Sequence, residues 1–189
     1  MNPRRKIKAI IFDFDGVIVE SMGIKENAFI SLFKSYPEHL EKIVALHRAH
    51  GGLSRFEKFK IIHNDILDLP YSEEVEKELG NKFAKYVYEE VVRCPYVTGV
   101  KEFLGKYHKE LSFFIVSGTP EAEMRQITRA RKIDKYCIEV FGSPRKKGVL
   151  CQKILRSHRL SQNAVIMVGD SIDEYEGAKA SCIKFIGRI

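Results

Sequence analysis

Several features that the sequence lacks narrow the class of protein. It contains no apolar run of the ~20 residues that a membrane-spanning helix requires. Its 32 lysines and arginines are interleaved with 25 aspartates and glutamates, so the net charge of +7 does not by itself indicate nucleic acid. The basic start of the chain leads into an apolar segment that runs to Asp13, unlike a secretory signal peptide. We therefore expect neither a membrane nor a nucleic acid as partner.

Cysteine and histidine patterns typical of disulfides and zinc sites are also missing. The four cysteines form no CxxC pair, so their spacing demands no disulfide and a reducing cytoplasm is the expected compartment. His47 and His50 lie one helical turn apart, but no further cluster accompanies them, and we interpret them as solvated helix residues. The sequence shows no internal repeat and no low-complexity linker.

The most informative stretch spans residues 8–17. It is an apolar run, typical of a strand buried on both faces, and it ends abruptly in Asp13, Asp15 and Gly16. Side chains two positions apart on an extended segment point to the same side, so the two carboxylates are neighbours. Two like charges at the end of a core strand are unfavourable. They indicate a bound metal, or a reaction that needs both.

The rest of the chain shows two patterns. Residues from about 21 to 93 have amphipathic helical periodicity without a strand-like run. From residue 95 onward, predicted strands alternate with predicted helices, which is typical of a parallel sheet covered on both faces. The first strand must join that sheet, because it cannot pair within a helical bundle. We predict an α/β doubly wound core formed by residues 1–19 and 95–189, with a helical domain inserted at residues 20–94.

Polar residues follow the predicted strands of this core. In such sheets ligands bind beyond the carboxyl ends of the strands, so these residues are expected to converge on one rim. Ser117 can donate a hydrogen bond to an anion, and Gly118 lets the backbone approach it closely. Thr119 and Pro120 then have the pattern of a helix N-cap followed by proline at the first helical position. This predicts a helix start that faces the rim, suited to phosphate.

The third and fourth strand ends carry opposite charges. Arg145, Lys146 and Lys147 follow the third strand, where cations in the first turn of a helix oppose the helix dipole. An anion bound at the rim would compensate one of them, and the alternative is that they are solvated charges. Asp170 follows the fourth strand and, beside Asp13 and Asp15, would place three negative charges in one small site. A hard divalent cation with oxygen ligands would resolve this repulsion, and Mg²⁺ also suits a phosphate. We expect Mg²⁺ as the cofactor.

Four segments, taken in order, resemble the motifs of the haloacid dehalogenase superfamily. They are Asp13-Phe14-Asp15-Gly16-Val17, Val116-Ser117-Gly118-Thr119, a lysine in the third turn, and Gly169-Asp170-Ser171. The matching segments lie on both sides of the inserted helical domain, in both parts of the predicted core. The helical insert directly after the first motif resembles the cap of the phosphoglycolate phosphatase and β-phosphoglucomutase branch.

This resemblance implies roles for the matching residues. Asp13 would be the nucleophile that forms an aspartyl-phosphate, and Asp15 the general acid that later acts as general base. The phosphoryl oxygens would be held by Ser117, the Gly118 backbone and Lys147. Lys146 remains the alternative for the lysine.

The resemblance also implies the metal ligands, with one departure. Mg²⁺ would be held by Asp13, the backbone carbonyl of Asp15, and Asp170. The family usually has a second aspartate four residues after the one that matches Asp170, whereas this chain has Glu174 there with Asp173 adjacent. Either could hold the metal through water.

The inserted domain contains one further candidate. Residues 51–58 resemble the substrate-specificity loop of the mutase branch, with Arg55 at the position that meets a substrate anion and Lys58 as a weaker candidate. The same segment also fits an interhelical turn with Ser54 as N-cap and Glu57 completing a capping box. Both interpretations can hold at once.

These observations predict a Mg²⁺-dependent phosphatase. Its substrate would be a small phosphorylated metabolite, a monoester similar to phosphoglycolate or a sugar phosphate. A phosphomutase of the β-phosphoglucomutase type and a non-catalytic phospholigand-binding protein are the alternatives. Dehalogenation is disfavoured, because a halide needs no proton and the acid Asp15 would have no purpose.

Overall fold

The computed structural model describes residues 6–50 and 53–188. The chain divides into two compact units, one formed by Met1–Ser21 with Cys94–Ile189 and the other by Met22–Arg93. The second unit therefore interrupts the first shortly after its opening strand. Within the described ranges, every helix is too short or too polar to cross a membrane.

Among the described residues, the first unit contains a sheet of five parallel strands in the spatial order β3-β2-β1-β4-β5. The strands are β1 (Ala9–Phe12), β2 (Ser112–Pro120), β3 (Glu139–Ser143), β4 (Val165–Gly169) and β5 (Lys184–Gly187). All residues of the central strand β1 are buried, as its apolar sequence predicts. The α/β fold class and the membership of the first strand in the sheet are confirmed.

The second unit is helical. Its helices are α1 (Ile24–Leu32), α2 (Leu40–Ala49), α3 (Arg55–Ile61) and α4 (Glu73–Arg93), with a 3₁₀ turn at Pro37–His39 and a π-helical turn at Ile62–Ile66. The rings of Phe29, Phe59 and Phe83 form the centre of this unit, with centroids 5.1 to 5.8 Å apart. Ser54 Oγ accepts from the Glu57 N–H at 3.2 Å, and Glu57 Oε2 accepts from the Ser54 N–H at 2.8 Å. The capping box predicted for α3 is confirmed.

In the described part of the first unit, four α-helices pack against the sheet. They are α5 (Val100–Tyr107), α6 (Glu121–Ala130), α7 (Lys147–Ser157) and α8 (Ile172–Ala180), with 3₁₀ turns at Asp134–Tyr136 and Gln162–Ala164. Ile11 of β1 lies in a buried cluster with Leu150 of α7 and Ala178 of α8. The next residue, Phe12, packs on Phe103 of α5 with centroids 6.4 Å apart. Since successive strand residues point to opposite faces, helices cover both faces of the sheet.

The helix predicted after β2 is present, but its predicted N-cap, Thr119, is wrong, because the helix begins one residue later. Strand β2 continues to Pro120, which pairs with Ser143 of β3 after a register shift that begins at Val116. Helix α6 begins at Glu121, and Pro120 occupies its N-cap position with no side-chain cap. Gly142 of β3 packs so closely on this segment that a Cβ there would overlap the Thr119 carbonyl oxygen and the Glu121 backbone. Pairing with β3 therefore keeps Thr119 extended.

Candidate active site

The register of the sheet brings Asp13, Ser117 and Asp170 to one rim. Phe12 of β1 pairs with Ile115 of β2 and with Val168 of β4. Asp13 directly follows Phe12, while Ser117 and Asp170 each lie two residues beyond its partners Ile115 and Val168, so the three residues meet at the same rim of the sheet. The Asp13 N–H donates to the Val168 carbonyl at 2.9 Å, which fixes its backbone against β4. The strand order reverses between β1 and β4, and this is where open α/β sheets form a ligand crevice.

A buried ion-pair network surrounds Asp13. Lys147, the first residue of α7, places Nζ 3.1 Å from Asp13 Oδ1 and also contacts the carboxylate of Glu174 on α8. Asp13 is 5% exposed and Glu174 is 1% exposed. Lys146, by contrast, is exposed at the N-cap position of α7. Of the two lysines, the structure thus brings Lys147 to Asp13.

Burial makes the charge on Asp13 costly. Desolvation raises the pKa of Asp13 from 3.8 to about 6, the Lys147 ammonium opposes this rise, and the Asp15 carboxylate adds to it. One lysine therefore does not restore an ordinary carboxylate pKa. A further positive charge beside Asp13 would lower its pKa and keep it ionised at neutral pH.

Asp13, Asp170 and Glu174 form a group of oxygen donors suited to a cation. One carboxylate oxygen from each lies within 4.8 Å of those of the others. Asp170 is partly exposed, and burial raises its pKa above the ordinary value. Carboxylate oxygens at this spacing are the ligands that hard divalent cations prefer, so these residues fit Mg²⁺.

Glu174 already has protein partners for both of its oxygens. Oε1 contacts Lys147 Nζ, while Oε2 accepts from the Ser171 N–H at 2.8 Å and from the Ser171 hydroxyl. Ser171 and Glu174 form the capping box of α8. The sequence carries the signal for this cap, a serine followed three residues later by glutamate, which sequence reasoning missed. Asp173, the other candidate in this turn, is exposed.

Asp15 is held by the loop that follows it. Its Oδ1 accepts a hydrogen bond from the buried Ser21 Oγ at 2.6 Å, and its backbone forms a parallel bridge with Val19. The carboxyl group of Asp15 thus has a fixed hydroxyl partner six residues along the chain. Nothing in the residue pattern alone indicates this partner.

Ser117 and Gly118 lie in the irregular part of β2. Ser117 is 2% exposed, and its Oγ accepts from the Thr119 N–H at 3.1 Å, which leaves the hydroxyl proton for another acceptor. Gly118 is exposed, and a Cβ there would meet no atom within 4 Å. The segment therefore presents a hydroxyl beside an open stretch of backbone.

The candidates of the inserted domain lie in the second unit. The Arg55 guanidinium carbon sits 5.2 Å from the Phe56 ring centroid and 5.5 Å from that of Phe83. Lys58 is 3% exposed and places Nζ 3.1 Å from His47 Nδ1. Gly51 and Gly52, the turn of the predicted specificity loop, fall outside the described residues.

A doubly wound parallel sheet with carboxylates and a lysine at its topological switch point suits an α/β enzyme that acts on a charged ligand. The family comparison agrees with this class. The model of the haloacid dehalogenase-like hydrolase family matches residues 10–188, and the chain belongs to that family. The prediction that the protein is an enzyme, a hydrolase of this type, is confirmed.

Individual relatives agree with the predicted branch. The curated "Phosphorylated carbohydrates phosphatase" of Thermotoga maritima is 26% identical over 186 residues, covering 95% of this chain and 84% of the relative. The structure of a predicted phosphoglycolate phosphatase from Haemophilus somnus matches with a TM-score of 0.76 at 19% identity, over 96% of this chain and 84% of that one. The structure of a candidate β-phosphoglucomutase from Thermotoga maritima matches with a TM-score of 0.75 at 22% identity, over 96% and 85%. These structures show a shared fold, and the predicted resemblance to both proteins is confirmed at that level.

Proposed function

We propose that this protein is a Mg²⁺-dependent phosphatase that hydrolyses small phosphorylated metabolites through an aspartyl-phosphate on Asp13. The observation that carries the proposal is the buried Asp13 carboxylate, which lies beside Lys147 and within a group of carboxylates that fits a divalent cation. Membership in a hydrolase family supports hydrolysis as the reaction. The Thermotoga relative is named as a phosphatase of phosphorylated carbohydrates, so these are the first substrates to test.

The first chemical step joins Asp13 to phosphorus. A carboxylate oxygen of Asp13 attacks the phosphorus atom, the bond from phosphorus to the ester oxygen breaks, and the proton of Asp15 passes to the leaving alcohol. In the second step Asp15 takes a proton from water as the water oxygen attacks phosphorus. The bond to Asp13 breaks and free phosphate leaves. Both carboxyl groups thereby return to their starting states.

Charge on the phosphoryl group is balanced by residues that follow or end two of the strands, β2 and β3. We assign the phosphoryl oxygens to the Ser117 hydroxyl, the Gly118 backbone and the Lys147 ammonium. Mg²⁺ would be held by Asp13, the Asp15 carbonyl and Asp170, and would supply positive charge that favours ionised Asp13 and a polarised phosphoryl group. Because both Glu174 oxygens have protein partners, we assign Glu174 to orienting Lys147, with any contribution to the metal through water.

Two further assignments belong to the proposal. Arg55 is the candidate for selecting an anionic part of the substrate, with the inserted helices as the specificity domain. The four cysteines are free thiols, a state that the reducing cytoplasm preserves, and we place the enzyme there.

The decisive experiment measures phosphate release from a panel of phosphorylated carbohydrates and small phosphomonoesters, with Mg²⁺ and with chelator. We expect turnover that requires Mg²⁺ and is abolished in Asp13→Asn while the circular dichroism spectrum is unchanged. Undiminished turnover in that variant would exclude the mechanism. Isomerised sugar phosphate without free phosphate would identify a mutase instead.

A further inference from the structure

The loop from Asp15 to Ser21 is closed by hydrogen bonds within the first unit. The Gly16 N–H donates to the Val19 carbonyl at 2.9 Å, and the chain returns to place Ser21 Oγ 2.6 Å from Asp15 Oδ1. The position of the Asp15 carboxyl group therefore depends on where both ends of this loop are held.

Arg188, directly after β5, contacts both ends of the loop. Its guanidinium donates to the Gly16 carbonyl, the residue after Asp15, and to both carboxylate oxygens of Glu20, the residue before Ser21. The two distances to the Glu20 oxygens are 3.2 and 2.7 Å. A planar guanidinium with several fixed donors restrains orientation more strongly than a lysine ammonium does.

The backbone of Arg188 connects this loop to the fourth strand. Its N–H donates to the Gly169 carbonyl at 2.8 Å, and Gly169 directly precedes Asp170. One residue thus links the turn that carries Asp15 to the turn that carries Asp170. The ion pair with Glu20 is one-third exposed, so its contribution to stability is small and its effect is on geometry.

We propose that Arg188 is a positioning residue for the general acid Asp15, acting through the carbonyl of Gly16 and the carboxylate of Glu20 at the two ends of the loop. This inference rests on the proposed phosphatase function. Arg188 does not touch the reacting atoms. It orients the carboxyl group whose proton goes to the ester oxygen as the phosphorus–oxygen bond breaks.

The test uses the dependence of the rate on the leaving group. Para-nitrophenolate leaves readily without a proton, whereas phenolate is a poorer leaving group and gains more from Asp15. At saturating Mg²⁺ we expect Arg188→Gln to lower kcat/KM for phenyl phosphate about tenfold or more, a part of what general acid catalysis provides. For para-nitrophenyl phosphate we expect a loss of about threefold or less, because general acid catalysis contributes little there. Arg188→Lys should recover part of the loss.

Two further variants make the result specific. Ser21→Ala removes the hydroxyl that contacts Asp15 directly, and it should show the same selective loss even if Arg188→Gln fails to fold. Arg156→Gln removes an exposed arginine of α7 and should affect neither substrate. An equal loss on both substrates in a folded Arg188→Gln, or no loss on either, overturns the inference while the phosphatase proposal stands. If Arg188→Gln does not fold, an equal loss on both substrates in Arg188→Lys overturns it. If the wild-type protein hydrolyses neither ester and releases no phosphate from the panel of phosphorylated carbohydrates and small phosphomonoesters, both proposals fail.

Discussion

Lys147 Nζ lies 3.1 Å from Asp13 Oδ1, although the two residues are 134 positions apart in the chain. Helix α7 connects β3 to β4, and β4 pairs with β1. Because α7 begins at Lys147, this residue lies at the rim where β1 ends in Asp13. Lys147 also contacts Glu174, so one ammonium group balances two carboxylates that are 5% and 1% exposed. An isolated buried carboxylate is costly, so this lysine matters to both folding and chemistry.

Replacing Lys147 with methionine should destabilise the protein and abolish turnover. Two buried carboxylates would lose their cation, for which we expect a cost of about 3 kcal/mol near pH 8. The cost should shrink at pH 5, where Asp13, whose pKa burial raises to about 6, is largely protonated. Urea unfolding at the two pH values measures the effect. Lys146→Met, one residue away and exposed, is the matched control and should change stability by about 0.5 kcal/mol or less. Equal effects of the two variants would contradict the assignment of Lys147.

Asp13 itself should make the metal-free protein less stable as the pH rises. Because its folded pKa is raised to about 6, the folded protein holds this proton more tightly than the unfolded chain. The resulting stability is fully present below pH 3.8, the ordinary pKa of the group, and is lost by about pH 6. Asp13→Asn cannot titrate, so its stability relative to wild type should rise across this window by up to about 3 kcal/mol.

Unfolding of both proteins in chelator at several pH values tests this linkage. A constant difference between Asp13→Asn and wild type from pH 4 to pH 7 would contradict the raised pKa. Added Mg²⁺ should reduce the difference at pH 7, because a bound cation stabilises the ionised form of the wild-type carboxyl group.

Position 169 should not tolerate a side chain, whereas position 118 should accept a methyl group without loss of stability. A Cβ on Gly169 would overlap the Cβ and Cγ of the buried Glu174, so Gly169→Ala should destabilise the protein by about 1–3 kcal/mol. A Cβ on Gly118 would meet no atom within 4 Å, so Gly118→Ala should change stability by about 0.5 kcal/mol or less. Thermal unfolding of the two variants compares the sites directly. Gly118→Ala should still reduce phosphate release, since a methyl group would stand where we expect the backbone to approach phosphate.

The strand-end residues could be predicted because their positions follow from the sheet alone. Once β1, β2 and β4 are parallel neighbours, Asp13, Ser117 and Asp170 must share a rim. The N-cap predicted at Thr119 was wrong, because Pro120 pairs with Ser143 of β3 and strand β2 therefore continues through Thr119. The local sequence preference for a helix start does not include this pairing between strands. The contacts of Ser21 with Asp15 and of Arg188 with Gly16 could not be predicted, since they depend on the path of a loop and on where β5 ends.

Arg55 provides the test of the inserted unit as a specificity domain. Its guanidinium rests on the Phe56 and Phe83 rings, and Arg55→Met keeps an apolar side chain there while removing the charge. If Arg55 binds a second anionic group of the substrate, the variant should raise KM for a carboxylated substrate such as phosphoglycolate about tenfold, the value of one charged hydrogen bond. KM for para-nitrophenyl phosphate should be unchanged, because that ester has no second anionic group. Lys85→Met removes one exposed positive charge from α4 of the same unit and controls for net charge. A KM increase of the same size in both variants, or on both substrates, would show that Arg55 does not select the substrate.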